Sequence, residues 1–232
     1  MWVIGDIHGC LDELEELLDL IPRKDRLIFI GDYIDRGPAS AGVVDRVLEE
    51  EHRSVFLKGN HEDMMMAYYR DPESREGLAW TFVGNGGPAT LRSYGLTDSD
   101  SYDRYPKRHR EFYENLQLYY ETDDYIAVHA GVRIAPGKKN DSVPIEKQDP
   151  EDLIWIRDEW IRNEHRWNGK RVFYGHTPSH YVLGSAGEHD PIVGEKSVGL
   201  DTGCVFGGSL TAMNTQDDEL IQVKARRNYY IS

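Results

Sequence analysis

Apolar residues in the first third of the chain alternate between short continuous runs and helical stripes. Residues 2–5 form an apolar run that ends at Asp6. Leu11, Leu14, Leu17, Leu18 and Ile21 then recur at helical spacing, with Asp12, Glu13, Glu15, Glu16 and Asp19 on the other face. That spacing predicts an amphipathic helix, which Pro22 closes. Leu27-Ile28-Phe29-Ile30 reads as a buried strand and again runs into Gly-Asp. Ser40 is expected to cap a helix carrying Val43, Val44, Val47 and Leu48. Val55-Phe56-Leu57 is a third strand, ending at Gly59-Asn60, and a helix is expected over residues 62–69.

This β-α-β-α-β order predicts parallel strands in a layered α/β fold. Ligands in such folds bind beyond the carboxyl ends of the strands. Asp6 and His8, Asp32 and Asp35, and Asn60 and His61 all fall there. Three strand ends therefore converge on one edge.

The rest of the chain is less regular. Residues 71–95 hold Gly84, Gly86, Gly87 and Pro88 and read as a loop, followed by a helix over residues 111–120. Tyr125-Ile126-Ala127-Val128 is a strand ending in His129-Ala130-Gly131. Residues 133–150 read as a long surface loop, and residues 153–162 as a helix containing tryptophan. Arg171-Val172-Phe173-Tyr174 is a strand ending in Gly175-His176-Thr177, and after residue 180 short strands alternate with glycine turns. No internal repeat or linker stands out, so residues 1–232 are expected to form one catalytic domain.

Composition narrows the class. Of the 232 residues, 39% are hydrophobic and 29% charged, which fits a globular domain rather than a disordered chain. No apolar run is long enough to span a membrane. No basic segment followed by a long apolar one opens the sequence, so a cytoplasmic location is expected. Cys10 and Cys204 are too few for a disulfide framework and are read as free thiols. The formal charge of −14 repels nucleic acid phosphates, which argues against a nucleic-acid partner. A phosphate-binding site in such a chain needs a local positive source.

Candidate chemistry lies in five segments: Gly5-Asp6-Ile7-His8-Gly9, Gly31-Asp32-Tyr33-Ile34-Asp35-Arg36-Gly37, Gly59-Asn60-His61-Glu62, His129-Ala130-Gly131 and Gly175-His176-Thr177. Each begins or ends with glycine, which lets the backbone turn tightly around a small object. Two carboxylates, one amide and three imidazoles suit a pair of mid-row divalent ions.

Taken together and in order, these segments resemble the phosphoprotein phosphatase family of metallophosphoesterases, in particular its bacterial and bacteriophage-lambda-like serine/threonine phosphatase branch. The likeness extends to Asn85-Gly86-Gly87, Trp155-Ile156-Arg157-Asp158-Glu159 and Asp201-Thr202-Gly203. It implies the calcineurin-like sandwich of two mixed β-sheets flanked by α-helices. It also implies that Asp6 and His8 hold one metal ion, that Asp32 bridges two, and that Asn60, His129 and His176 complete the second. Manganese is the first choice, with iron or zinc behind it. On the same resemblance, a hydroxide shared by the metals attacks phosphorus in line, and Arg36 and Arg157 neutralise the phosphoryl oxygens with help from Asn60 and His61. His61 is the general acid, oriented by Asp35. The roles of Asp201 and Asn85 stay open.

The resemblance implies a hydrolase acting on phosphomonoesters, first of all a protein phosphatase for phosphoserine and phosphothreonine, with dual specificity open. The alternative is a dinucleoside polyphosphate hydrolase of the diadenosine tetraphosphate type. Asp35 and Glu62 tilt the reading toward the phosphatase. A third reading, a non-catalytic binding scaffold, conflicts with the presence of all six expected ligands. His52, His109, His165, His180 and His189 fit no motif and are read as surface residues; Met64-Met65-Met66 is read as core. Residues 224–227 form a small basic patch, read as a solvated tail.

Overall fold

The computed structural model describes residues 1–70, 81–134, 143–161, 167–184 and 189–230. In chain order its strands are β1 (Trp2–Ile4), β2 (Leu27–Phe29), β3 (Ser54–Phe56), β4 (Tyr119–Glu121), β5 (Tyr125–Val128), β6 (Arg171–Tyr174), β7 (Ile192–Val193), β8 (Ser197–Gly199), β9 (Ser209–Asn214) and β10 (Leu220–Lys224). The helices used below are α1 (Leu11–Leu20), α2 (Ser40–Glu49), α3 (Asn60–Arg70), α4 (Gly87–Ser93), α5 (Lys107–Glu114), α6 (Pro150–Trp155), α7 (Asp158–Ile161) and α8 (Ser179–Leu183).

The strands form two mixed sheets of five, ordered β10-β9-β1-β2-β3 and β4-β5-β6-β8-β7. β1, β2 and β3 run parallel, with Val3 opposite Ile28 and Ile28 opposite Val55. In the second sheet β5, β6 and β8 run parallel, with Ala127 opposite Phe173 and Phe173 opposite Val198. Antiparallel pairing occurs at the β10 edge of the first sheet and at both edges of the second, while β3 closes the first sheet as a parallel strand. The result is the metallophosphoesterase sandwich expected from the sequence.

Side-chain alternation explains why these strands are apolar throughout. Val3, Ile28 and Val55 point one way and join Tyr125, Ala127, Phe173 and Val198 in a core between the sheets. Their neighbours Trp2, Ile4, Leu27 and Phe29 point the other way and pack under Leu14, Leu17, Val43 and Val47 of α1 and α2. Ile126, Val128 and Val172 face away from the first sheet, onto Leu153, Trp160 and Trp167. A strand buried on both faces loses the polar half of its period-two pattern.

Several boundaries differ from expectation. Ala39, not Ser40, precedes the first turn of α2, and Ser40 turns its hydroxyl to the backbone N–H of Asp35 at 3.2 Å. α3 begins at Asn60, so Asn60 and His61 stand in a helix's first turn rather than at a strand end. The helix expected over residues 111–120 ends at Glu114, and Tyr119 and Tyr120 enter β4. Gln117 is extended beside β3: its N–H bonds Phe56 O at 3.0 Å and its carbonyl accepts from Lys58 at 2.7 Å. The expected helix over residues 153–162 is two short helices, broken where Ile156 takes an extended backbone; residue 162 lies outside the described residues. Of the loop expected over residues 71–95, residues 71–80 lie outside the described residues, and residues 87–93 form α4 with Pro88 in its first turn. His109 is buried, not on the surface; it bonds Asp45 and the hydroxyl of Tyr94, each at 2.8 Å. His165 lies outside the described residues.

Candidate metal centre and active site

The parallel strands deliver their following loops to one edge, where the backbone turns abruptly. Of the seven non-glycine residues with positive φ among the described residues, five are His8, Asp32, Asp35, Arg36 and His176. Such conformations are costly for residues with a side chain and persist where the surroundings enforce them, often at functional sites.

Asp32 is the hub. Its carboxylate lies 3.3 Å from His8 Nε2, 3.4 Å from His129 Nε2 and 3.9 Å from His61 Nε2, and it accepts the backbone N–H of His61 at 3.1 Å. Asn60 Oδ1 lies 3.0 Å from His129 Nε2 and 2.9 Å from His176 Nδ1. Two groups of donors result, His8 with Asp32 and His61, and Asp32 with His129 and His176. Asp6 comes from the end of β1 and accepts the backbone N–H of His176 at 3.0 and 3.2 Å. On the first side the tight group therefore includes His61, which the sequence reading placed as an acid rather than a ligand.

Hydrogen bonding sets the tautomers. His8 Nδ1 lies 2.8 Å from Ile34 O, and His129 Nδ1 lies 2.8 Å from Ile30 O. A carbonyl only accepts, so both Nδ1 atoms carry a proton and both Nε2 atoms are left facing Asp32. Burial pushes the imidazoles of His61, His129 and His176 toward the neutral form. In neutral His129 the Nε2 lone pair therefore faces the oxygens of Asn60 at 3.0 Å and Asp32 at 3.4 Å, while His176 Nδ1 can donate to the same Asn60 oxygen at 2.9 Å. Burial, joined by Asp201 and Asp32, also raises the Asp6 carboxyl, and burial raises that of Asp201. A cation placed among these groups relieves both penalties, so the donor set fits divalent metal ions.

The remaining residues frame this centre. Arg36 reaches His8 Nε2 at 2.6 Å through NH1, and its backbone N–H donates to Gly86 O at 3.2 Å. A Cβ at Gly86, which has φ +106°, would collide with the Arg36 side chain and backbone. That contact accounts for the Asn85-Gly86-Gly87 segment, while Asn85 bonds back to Thr81 O at 2.6 Å. Arg157, at the break between α6 and α7, donates through NH1 to His176 O and Thr177 Oγ1, each at 3.0 Å. His61 Nδ1 bonds Asp35 Oδ2 at 2.7 Å.

A model of the calcineurin-like phosphoesterases matches residues 1–209. The chain belongs to the calcineurin-like phosphoesterase family. It is a hydrolase of the metallophosphoesterase kind, for which divalent metal ions are implied. Curated relatives of this phosphoesterase include two proteins named bis(5'-nucleosyl)-tetraphosphatase PrpE [asymmetrical]. The one from Anoxybacillus flavithermus is 29% identical over 98% of this chain and 95% of its own. The one from Oceanobacillus iheyensis is 28% identical over 98% and 93%. Among solved structures, a candidate diadenosine tetraphosphatase aligns with TM-score 0.66 and 22% identity, covering 97% of this chain and 92% of that one. A serine/threonine phosphatase from Saccharomyces cerevisiae aligns with TM-score 0.56 and 16% identity, covering 97% and 78%. These last two likenesses speak to the fold.

The phosphoesterase also contains supporting residues that sequence reasoning missed. Glu62 is fully buried, and its carboxylate accepts four backbone N–H groups: Asp32 and Gly59 at 3.0 Å each on one oxygen, Tyr33 at 2.9 Å and Ile34 at 3.3 Å on the other. Burial and the nearby Asp32 raise its carboxyl to about 8, while those N–H bonds work in the opposite sense. Thr90 donates to Asp35 Oδ1 at 2.6 Å and accepts the Asp35 N–H at 2.9 Å, which leaves a lone pair for Ser40 Oγ at 3.0 Å. Asp201 is buried and accepts the Gly203 N–H at 3.0 Å, so it shapes a turn as well as adding charge beside Asp6. Glu62 and Asp201 stood in motifs, though these duties were not legible there; Thr90 and Ser40 carried no sequence signal of their roles. Cys10 and Cys204 are free and buried, gathered with Glu13; the contact with Cys204 and burial together push the Cys10 thiol up.

Proposed function

We propose that this phosphoesterase is an asymmetrical bis(5'-nucleosyl)-tetraphosphatase. Water and a dinucleoside tetraphosphate would give one nucleoside triphosphate and one nucleoside monophosphate. The observation that carries this reading is the end-to-end correspondence with proteins of that name, 29% identical over 98% of this chain and 95% of the relative.

The protein-phosphatase reading leaned on Asp35 and Glu62. Both have other duties here. Glu62 serves four backbone N–H groups, and Asp35 holds the His61 ring. Neither duty depends on what leaves the phosphorus, so neither residue favours a phosphoprotein.

Asp6, His8 and Asp32 would hold one divalent ion, and Asp32, Asn60, His129 and His176 the other; manganese suits the oxygen and imidazole donors, with iron or zinc as alternatives. Bound there, the pair supplies an acidified water and positive charge against the phosphate. Arg36 and Arg157 approach from two separate loops and would orient the phosphoryl oxygens by charge-assisted hydrogen bonds. Asp35 fixes Nδ1 of His61, so Nε2 is the nitrogen that would face substrate and hand a proton to the leaving oxygen. Asn60 Oδ1, between the two histidines, keeps both rings in register.

A substrate panel run with manganese tests the reading. Diadenosine tetraphosphate, a phosphoserine peptide and an aryl phosphate are each incubated with the chain, and nucleotides are resolved by chromatography while inorganic phosphate is assayed. Equimolar AMP and ATP support the proposal. Turnover of the phosphopeptide with diadenosine tetraphosphate left intact would return the phosphatase reading. No helix among the described residues is long and apolar enough to cross a membrane, which is compatible with a proposed cytoplasmic location.

A further inference from the structure

The basic patch at residues 224–227 is not a solvated tail. Arg226 donates its backbone N–H to Glu13 Oε1 at 2.9 Å and pairs through NH1 with Asp12 at 2.8 Å. The hydroxyl of Tyr229 donates to the same Glu13 oxygen at 2.7 Å, and the backbone N–H of Tyr229 bonds Val205 O at 2.9 Å. These bonds strap the C-terminal segment to α1 and to the turn at residues 204–206. Glu13 is a fully buried carboxylate on an otherwise amphipathic helix, and the strap satisfies its Oε1.

The strap presents Arg227 to a cavity of about 240 Å³ lined by Arg36, Arg92, Arg227 and Tyr229, with Pro38 and Ala89 beside them. Arg36 also reaches His8 of the metal centre, so one side chain is shared by the cavity and that centre. The Arg227 guanidinium lies 5.0 Å from the Tyr229 ring centroid, and that of Arg36 lies 5.4 Å from Phe206. Arg92 projects from α4, which Ser93 ties to α2 by accepting the Ala41 N–H at 2.9 Å. Among the described residues neither Arg92 nor Arg227 forms an ion pair, and no carboxylate lines the cavity. In a chain of net charge −14, three guanidinium groups lining one such cavity make a local positive site suited to an anion.

We propose that this cavity is the subsite for the polyphosphate chain beyond the scissile phosphorus. The proposal rests on the tetraphosphatase reading and deepens it. A phosphate monoester needs only the metals, Arg36 and Arg157. A dinucleoside tetraphosphate carries about four negative charges, and those remote from the reacting phosphorus need partners of their own. Arg92 and Arg227 add positive charge beside Arg36 in the same cavity, and planar guanidinium groups match phosphate oxygens in pairs. They are binding residues, not catalytic ones.

Arg92→Gln, Arg227→Gln and the double variant, each as the full manganese-loaded chain, are compared with the unsubstituted chain on diadenosine tetraphosphate and on an aryl phosphate. Losing one charge-assisted contact should raise KM for the tetraphosphate about tenfold to a hundredfold. The rise should exceed the change for the aryl phosphate by at least about tenfold, and Arg227→Lys should recover part of it. Thermal melts check that the variants remain folded, as the exposed positions of both arginines lead one to expect. Equal KM changes on both substrates, in variants whose parent cleaves the tetraphosphate, would overturn the subsite and leave the tetraphosphatase reading standing. A parent that does not cleave the tetraphosphate overturns both. Affinity lost for an acidic phosphopeptide rather than for the tetraphosphate would give the cavity to a different occupant and reject this one.

Discussion

The carboxylate of Glu62 accepts the backbone N–H of Asp32 at 3.0 Å. Through that bond, and three more to Tyr33, Ile34 and Gly59, one buried side chain holds the hub of the metal centre in a conformation with φ of 54°. A backbone region that residues with a Cβ ordinarily avoid needs such bracing.

Replacing Glu62 with Gln keeps the size but substitutes an amide NH₂ for one acceptor oxygen. Two backbone N–H groups then face a donor. Leaving each unsatisfied costs about 1–3 kcal/mol, so the variant should lose about 2–6 kcal/mol of stability. Urea unfolding of the two chains measures it. A midpoint unchanged by the substitution would mean that these bonds are not formed.

Thr90 meets Asp35 through both of its hydroxyl functions. Thr90→Val preserves shape while removing the hydroxyl, which leaves the Asp35 N–H with Ser40 alone and frees a buried carboxylate oxygen. A loss of about 1–3 kcal/mol is expected. Because Asp35 holds His61, kcat should also fall, by less than the ~10²–10⁴ that a general acid supplies. Steady-state rates beside a melting curve separate the two effects.

Gly175 packs so closely on Asp6 that a Cβ would overlap the carboxylate oxygen Oδ1. Gly175→Ala should displace Asp6 and weaken metal binding about tenfold to a hundredfold, the range seen when a ligand's support is removed. Calorimetric titration with manganese reads the change, and an undiminished affinity would remove Asp6 from the ligand set.

Asp32→Ala should abolish turnover, because both proposed ions share that carboxylate. His61→Ala should retain more. Enzymes typically accelerate their reactions ~10⁶–10¹⁷-fold, beyond the ~10²–10⁴ of one general acid. Equal losses on diadenosine tetraphosphate would instead place His61 among the essential ligands, as its closeness to His8 and Asp32 allows.

Much of this was legible in the sequence because the strands β1, β2, β5 and β6 are apolar on both faces and each ends in a glycine-bounded polar segment. Parallel strands carry such segments to one edge, so Asp6, His8, Asp32, His129 and His176 could be gathered without coordinates. Glu62 was visible as a motif residue but its duty was not, since its partners are backbone N–H groups that no side-chain pattern encodes. The helix expected to reach residue 120 stopped early for a tertiary reason: Gln117 gains backbone bonds beside β3, and Tyr119 and Tyr120 pair with Val128 and Ala127. Long-range pairing there overrides helical spacing. Arg226 and Arg227 look like a solvated tail because their partners, Asp12, Glu13 and the cavity by Arg36, lie more than 130 positions away in the chain.

Metal content per chain is the most direct test of the paired site around Asp32. Purified chain is equilibrated with manganese, passed through a desalting column, and assayed for metal and protein by elemental mass spectrometry. Two ions per chain, falling to one or fewer in Asp32→Ala, is the predicted result. A stoichiometry of one or none in the unsubstituted chain, while it still hydrolyses phosphoesters, would contradict it.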